Sequence, residues 1–384
     1  MKRILFIAPS LRLGGMERML VTISNRLAAE GYDVTVMILD DMTDLKDALD
    51  KRVKLSRKPY KSHLGQKIPY LRHKMYDDGM WEKRATPREL YRYYVGGEVY
   101  DAEIAFFRGL SVKIVSGSTN RDAVHLAWVH SDFRTARGYQ NNFRSMDEVD
   151  EAYRRMDHVV CVSNDALDGF VKTVGDTGNL TAVYNMLPAE EIRRKAREPA
   201  AVRTEKGRLH AVIVARLEDR IKGHLRLIDA VFRLRDEGRD ITLAVIGDGE
   251  DRRKIEQHIG EKNASSCIVM TGGQLNPYPY IREADLLICA SYYEGFNLTV
   301  AEALILGTPV LSTDCTGPRE ILDGGKYGMI VENSEEGLYD GLKKLYDDPE
   351  LLKSYTEKAA QRSAFFDEDK IFAQLTELLS DKKK

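Results

Sequence analysis

Two spacings of apolar residues alternate along this chain of 384 residues. Short runs rich in Ile, Val, Leu, Ala and Cys read as buried strands, and the stretches between them place apolar residues three and four apart, as amphipathic helices do. One series comprises RILFIAPS (3–10), DVTVMILD (33–40), DAEIAFF (101–107), HLAWVH (125–130), HVVCVS (158–163) and LTAVYN (180–185). The charged stretch at 189–208 follows and suits a linker with a surface helix. A second series then opens with LHAVIVA (209–215) and continues with ITLAVIG (241–247), CIVMTG (267–272), LLICAS (286–291), PVLSTD (309–314) and GMIVE (328–332). Strand–helix alternation of this kind builds parallel, doubly wound sheets. The pattern predicts an α/β protein with domains over 1–187 and 188–366, and a final amphipathic helix in 367–384 with Ile371, Phe372, Leu375, Leu378 and Leu379 on one face.

Composition narrows the class. A net charge of −2 argues against bulk attraction to nucleic acid, leaving only local patches open. No apolar run reaches the ~18–20 residues that cross a bilayer, and the basic start leads into a run too short for a signal peptide, so a cytoplasmic location is expected. The four cysteines, Cys161, Cys267, Cys289 and Cys315, form no CxxC pair and read as buried free thiols. One segment breaks the alternation: residues 51–98 hold thirteen Lys/Arg against five Asp/Glu, with Tyr60, Tyr70, Tyr76, Trp81, Tyr91, Tyr93 and Tyr94 interleaved. Solvated helices with basic outer faces, an anionic-membrane surface and a nucleic-acid surface all fit that composition.

Candidate chemistry falls just beyond strand ends, where open α/β sheets bind ligands. Gly14 and Gly15 precede a helix whose N-terminus offers unpaired amides, although a glycine pair also makes an ordinary tight turn. His130, Ser163 and Asn185 end their strands and could each be a simple cap. In the second series the strand ends are followed by Arg216 with Lys222 and Gly223, by Asp248 and Gly249, by Gly272 and Gly273, by Glu294, and by Thr316 to Glu320. Arg216 and Lys222 taken alone would pass for a surface ion pair. Together these positions combine cations, glycine loops and carboxylates, as a sugar carried on a nucleotide diphosphate requires. The densest stretch is EGFNLTVAEAL (294–304): Glu294 lies in a strand-to-helix loop, and Glu302 lies inside a helix of about 298–306 that is apolar on every side and stops at Gly307 and Pro309. A buried Glu in such a helix either pairs with a structural Arg or receives hydroxyl groups from a ligand. Neither sheet's strand-end loops hold an Asp-x-Asp motif, and Asp367-Glu368-Asp369 opens the last helix; no metal site is implied.

EGFNLTVAEAL resembles the paired-glutamate signature of the retaining nucleotide-sugar glycosyltransferases of glycosyltransferase family 4. The resemblance is best over 209–325 and weaker near the N-terminus. It implies the GT-B fold: two Rossmann-like, doubly wound parallel-sheet domains facing across a cleft, with the terminal helix crossing back to the first. It implies a donor site of Gly14, Gly15, Arg216, Lys222, Gly272, Gly273, Glu294, Gly295, Phe296, Asn297, Leu298 and Glu302. Within it Glu294 and His130 would contact the transferred sugar, Glu302 the ribose, and Arg216 and Lys222 the diphosphate, so that Glu294, His130, Arg216 and Lys222 carry the reaction. STDCTGPREIL (312–322) resembles the stretch found in users of UDP-hexoses. The expected activity is transfer of a hexose or N-acetylhexosamine from a UDP-linked donor to a glycan or lipid-linked acceptor for surface polysaccharide, without metal or cofactor, with residues 51–98 as a possible contact to the inner membrane face. The rivals are a nucleotide-sugar epimerase of the same fold and a nonenzymatic nucleic-acid-binding protein.

Overall fold

The computed structural model describes residues 1–57, 78–136, 138–200 and 208–383. It divides into two compact units, Met1–Met186 with Asp369–Lys384, and Leu187–Glu368.

In the first unit seven parallel strands stand in the order β3-β2-β1-β4-β5-β6-β7, these being β1 Arg3–Ala8, β2 Asp33–Ile38, β3 Lys54–Arg57, β4 Ala102–Ala105, β5 Val124–Val129, β6 His158–Cys161 and β7 Leu180–Ala182. Strands β1, β4 and β6 are buried almost throughout because helices cover both faces of the sheet, which is why they read as continuous apolar runs. The edge strand β3 escapes the sequence pattern: KLSR has one aliphatic residue and no buried position, and its pairing with β2 supplies what its composition does not. The terminal helix Glu368–Leu378 belongs to this unit. It buries Ile371, Phe372 and Leu375, and Arg26 reaches both Asp369 (2.8 Å) and the Phe372 ring (4.8 Å).

In the second unit six parallel strands stand in the order β10-β9-β8-β11-β12-β13, being β8 Leu209–Val214, β9 Ile241–Ile246, β10 Ile268–Gly272, β11 Leu286–Cys289, β12 Val310–Thr313 and β13 Met329–Val331. The order reverses between β8 and β11, the place at which open α/β sheets of this kind bind ligands. The core is aliphatic, with Ile213, Leu227, Val231, Leu243, Ile255, Ile288 and Leu342 among its buried members.

Residues 58–77 lie outside the described residues, and with them Tyr60, Tyr70, Tyr76 and most of the basic segment. The part that is described corrects the idea that Trp81, Tyr91, Tyr93 and Tyr94 anchor at a membrane. All four are buried in the first unit, Trp81 edge-on to Tyr93 at 4.9 Å and the Tyr91 hydroxyl donating to Glu103 at 2.6 Å. The cations Lys83, Arg84, Arg88 and Arg92 are exposed, so these helices have an aromatic inner face and a basic outer one. The four cysteines are buried and free. Among the described residues no helix is long and apolar enough to cross a membrane.

Candidate active site

The reversal between β8 and β11 brings Lys222 to Glu294. Lys222 ends the short helix Asp219–Lys222, and its Nζ donates to Glu294 Oε1 at 2.6 Å. The same oxygen accepts from Ser291 Oγ at 2.6 Å and Asn297 Nδ2 at 3.0 Å. Burial works to lower the Lys222 pKa, the Glu294 carboxylate outweighs it, and the net shift is upward, so the ammonium is held charged. Asn297 makes this possible with an unusual backbone. At φ 72° it sits in the left-handed region, which Asn tolerates better than most residues, and its Oδ1 accepts from Val300 N to cap the helix Leu298–Leu306. Its amide is thereby left to reach Glu294 and the Cys289 sulfur (3.1 Å).

The rest of the predicted donor set in this unit is placed as follows. Arg216 has a side chain 48% exposed, 3.8 Å from Glu218, and its like charge works to lower the Lys222 pKa. Glu302 is buried in the helix Leu298–Leu306, with the Tyr278 hydroxyl 3.4 Å from its Oε1. Gly295 is buried and Leu298 partly so. The Phe296 side chain turns into the core, edge-on to Phe366 at 6.4 Å, which leaves only its backbone for a ligand. That backbone is pressed by Gly317, at φ 82°, where a Cβ would fall 2.7 Å from Phe296 O; the loop after β12 can approach only because it has no side chain there. Gly272 ends β10, with Gly273 following, and its carbonyl accepts from Gly247 N.

Gly14, Gly15 and His130 belong to the first unit. Gly14 caps the helix Gly15–Ala29 in an extended conformation, and the carboxylate beside it is the chain's own Glu17, which is buried; a Cβ on Gly14 would meet Glu17 Oε2. Burial holds the His130 pKa at about 3, against a hydrogen bond to the Phe106 backbone, and Arg108 adds to the depression. The ring is thus neutral, stacked on Trp128 and close to Phe106 (4.6 Å), with a buried Nε2 that has no hydrogen-bond partner among the described residues. Ser163 is a strand-end cap, accepting from Ala166 N at 3.0 Å.

Sequence reasoning passed over Ser291, Glu17, Arg226 and Asn333. Ser291 and Asn333 carried no signal, being ordinary polar residues at strand ends. Arg226 did carry one, as a cation on the apolar side of the helix His224–Asp236.

The family model for glycosyl transferases group 1 matches residues 194–362, and that for glycosyltransferase family 4 matches 13–191. The chain is 30% identical over 238 residues to the N-acetylgalactosamine-N,N'-diacetylbacillosaminyl-diphospho-undecaprenol 4-alpha-N-acetylgalactosaminyltransferase of Campylobacter jejuni, covering 60% of this chain and 63% of that enzyme. It is 25% identical over 235 residues to the poly(glycerol-phosphate) alpha-glucosyltransferase of Bacillus subtilis, covering 61% of this chain and 34% of that one. Among solved structures, HepE of Anabaena in complex with UDP and glucose superposes with a TM-score of 0.76 at 18% identity, over 99% of this chain and 100% of that one. TarM of S. aureus, in a mutant complex with UDP, gives 0.76 at 16%, covering 99% of this chain and 100% of that one; at such identities the likeness is one of fold, the GT-B type. Matched by family models over nearly its whole length and built from two parallel α/β units, the chain belongs to glycosyltransferase family 4.

Proposed function

We propose that the protein is a retaining glycosyltransferase that moves a hexose or N-acetylhexosamine from a nucleotide diphosphate, UDP in our reading, to a glycan or lipid-linked acceptor in surface polysaccharide synthesis. The observation that carries this reading is the meeting of Lys222 with Glu294 at the sheet's reversal point, with Glu302 buried on the helix that follows. A carboxylate fed by three donors on one oxygen is fixed in place and can still accept from sugar hydroxyls, while Lys222 and Arg216 offer positive charge to a diphosphate. Glu302 takes the ribose hydroxyls. Support for UDP comes from the likeness of 312–322 to users of UDP-hexoses and from the UDP bound by HepE. Support for a lipid-linked acceptor comes from the diphospho-undecaprenol named for the Campylobacter enzyme.

In the reaction the bond between the anomeric carbon and the β-phosphate oxygen breaks, and its electron pair stays on that oxygen. Charge grows on the leaving group, so Arg216 and Lys222 stabilise the transition state more than the bound donor. The acceptor hydroxyl attacks from the same face, forms the new glycosidic bond and gives its proton to the departing phosphate oxygen. In our reading His130, held neutral by its burial, contacts the transferred sugar without adding charge. The test is a thermal-shift panel of UDP, GDP, ADP and the common UDP-sugars, followed by product analysis with the best donor. A ligand at ~100 times its dissociation constant stabilises by about 2.7 kcal/mol. Absence of any nucleotide response sinks the reading, and isomerised donor without transfer points to an epimerase.

A further inference from the structure

We infer that Arg226, with Asn333, is a positioning residue that sets the Glu294 loop for the sugar part of the donor; this rests on the donor site proposed above. Strand β11 ends at Cys289, and the next three carbonyls each accept from a side chain. Ala290 O accepts from Arg226 Nε (3.1 Å) and Nη2 (2.6 Å), Ser291 O from Thr313 Oγ1 (2.6 Å), and Tyr292 O from Asn333 Nδ2 (2.9 Å). Arg226 and Asn333 are themselves joined, Nη2 to Oδ1 at 2.7 Å, and Asn333 also donates to Asp314 O at 3.2 Å. The guanidinium lies on the Tyr292 ring at 3.7 Å. One planar fork therefore ties the loop after β11 to Asn333 and, through it, to the loop after β12.

The same fork reaches the Lys222 side. Tyr292 N donates to Ile221 O at 2.8 Å, and Gly223, at φ 64°, sits so close that a Cβ would fall 2.2 Å from Ala290 O and 2.6 Å from Arg226 Nε. Glu294 follows two residues after Tyr292, and Ser291 supplies one of its three donors. Arg226 is only 7% exposed, and among the described residues no carboxylate lies within ion-pair distance of it. A buried guanidinium without a counter-charge is a poor way to add stability, since apolar side chains of that volume serve as well or better. What it supplies is geometry: several donors at fixed angles on the carbonyls that lead to Glu294.

If this is its role, loss of the fork should be felt by the sugar and not by the nucleotide, because Glu302 and Arg216 are held by other contacts. The experiment titrates UDP, and each of UDP-glucose, UDP-galactose, UDP-GlcNAc and UDP-GalNAc, against wild type, Arg226→Met, Arg226→Lys and Asn333→Ala, and measures hydrolytic or transfer turnover with the sugar that wild type prefers. Expected for Arg226→Met is a UDP affinity within about threefold of wild type, while discrimination among the sugars collapses and turnover falls about 10- to 100-fold, the loss a misplacement near 1 Å brings. Arg226→Lys should not rescue, because a point charge lacks the fork, and Asn333→Ala should show the same pattern more weakly. Equal weakening of UDP and UDP-sugars, full rescue by Lys, or unchanged turnover overturns the inference. Should Arg226→Met not fold, Asn333→Ala decides by the same comparison. A wild-type protein that binds UDP but shows no preference among the sugars defeats the inference alone, and one that binds no nucleotide defeats the proposed function with it.

Discussion

The Lys222–Glu294 pair makes the sharpest stability prediction. At 2.6 Å and an effective dielectric near 20, the gross attraction is about 6 kcal/mol. The side chains are only 23% and 10% exposed, so desolvation removes much of that. Ser291 and Asn297 still donate to Glu294 when Lys222 is gone, which softens the loss further. The net coupling in a Lys222→Met and Glu294→Gln double-mutant cycle should be about 1.5–3 kcal/mol, with Lys222→Met alone costing about 2–3. Because the Lys222 pKa is raised on folding, its contribution is complete below the unfolded lysine value and fades only as pH climbs through the folded one; pH 7 measures it in full. The assay must report on the second unit. Both tryptophans, Trp81 and Trp128, lie in the first, so their fluorescence is blind to this pair. Native-state hydrogen exchange of peptides spanning β8 and β11 reads it directly. A coupling below about 0.5 kcal/mol would mean that the pair is a screened surface contact, and that Lys222 is not held in place for a ligand.

Glu302→Ala should weaken UDP binding at least tenfold with the fold intact, since charge-assisted hydrogen bonds to a ribose contribute roughly 1.5–3 kcal/mol each; unchanged calorimetric affinity removes Glu302 from the site. If Arg216 and Lys222 act at the leaving group as proposed, turnover should survive excess EDTA, and activity lost to the chelator and restored by Mg²⁺ would refute that. His130, held neutral with a pKa near 3, contributes stability that is present above the unfolded value of ~6.5 and is lost as pH falls toward 3, with a slope approaching 1.4 kcal/mol per pH unit. His130→Phe should flatten the acid limb of a first-unit stability profile followed by tryptophan fluorescence, and an unaltered limb counts against the buried neutral imidazole. Gly223→Ala should destabilise the second unit and depress sugar-nucleotide binding together, because the left-handed backbone and the Ala290 carbonyl both resist a Cβ.

What the sequence determined by itself is periodic or local. Twelve of the strands announce themselves as apolar runs, the central ones because both faces of a parallel sheet are covered there. The helix bearing Glu302 is legible from its all-round apolarity and its Gly307 stop, and the strand-end positions of Arg216, Lys222 and Glu294 follow once the strands are known. Only tertiary structure decided the rest. Strand β3 exists because β2 offers it an edge, the aromatics of 81–94 turn inward because the first unit needs a core there, and Phe296 sits against Phe366 some seventy positions along the chain. The Arg226–Asn333 fork joins residues more than a hundred apart through single hydrogen bonds. Such contacts leave no period to read: a hydrophobic stripe repeats along the chain that makes it, whereas a hydrogen bond between two loops depends on a strand order that no single segment specifies.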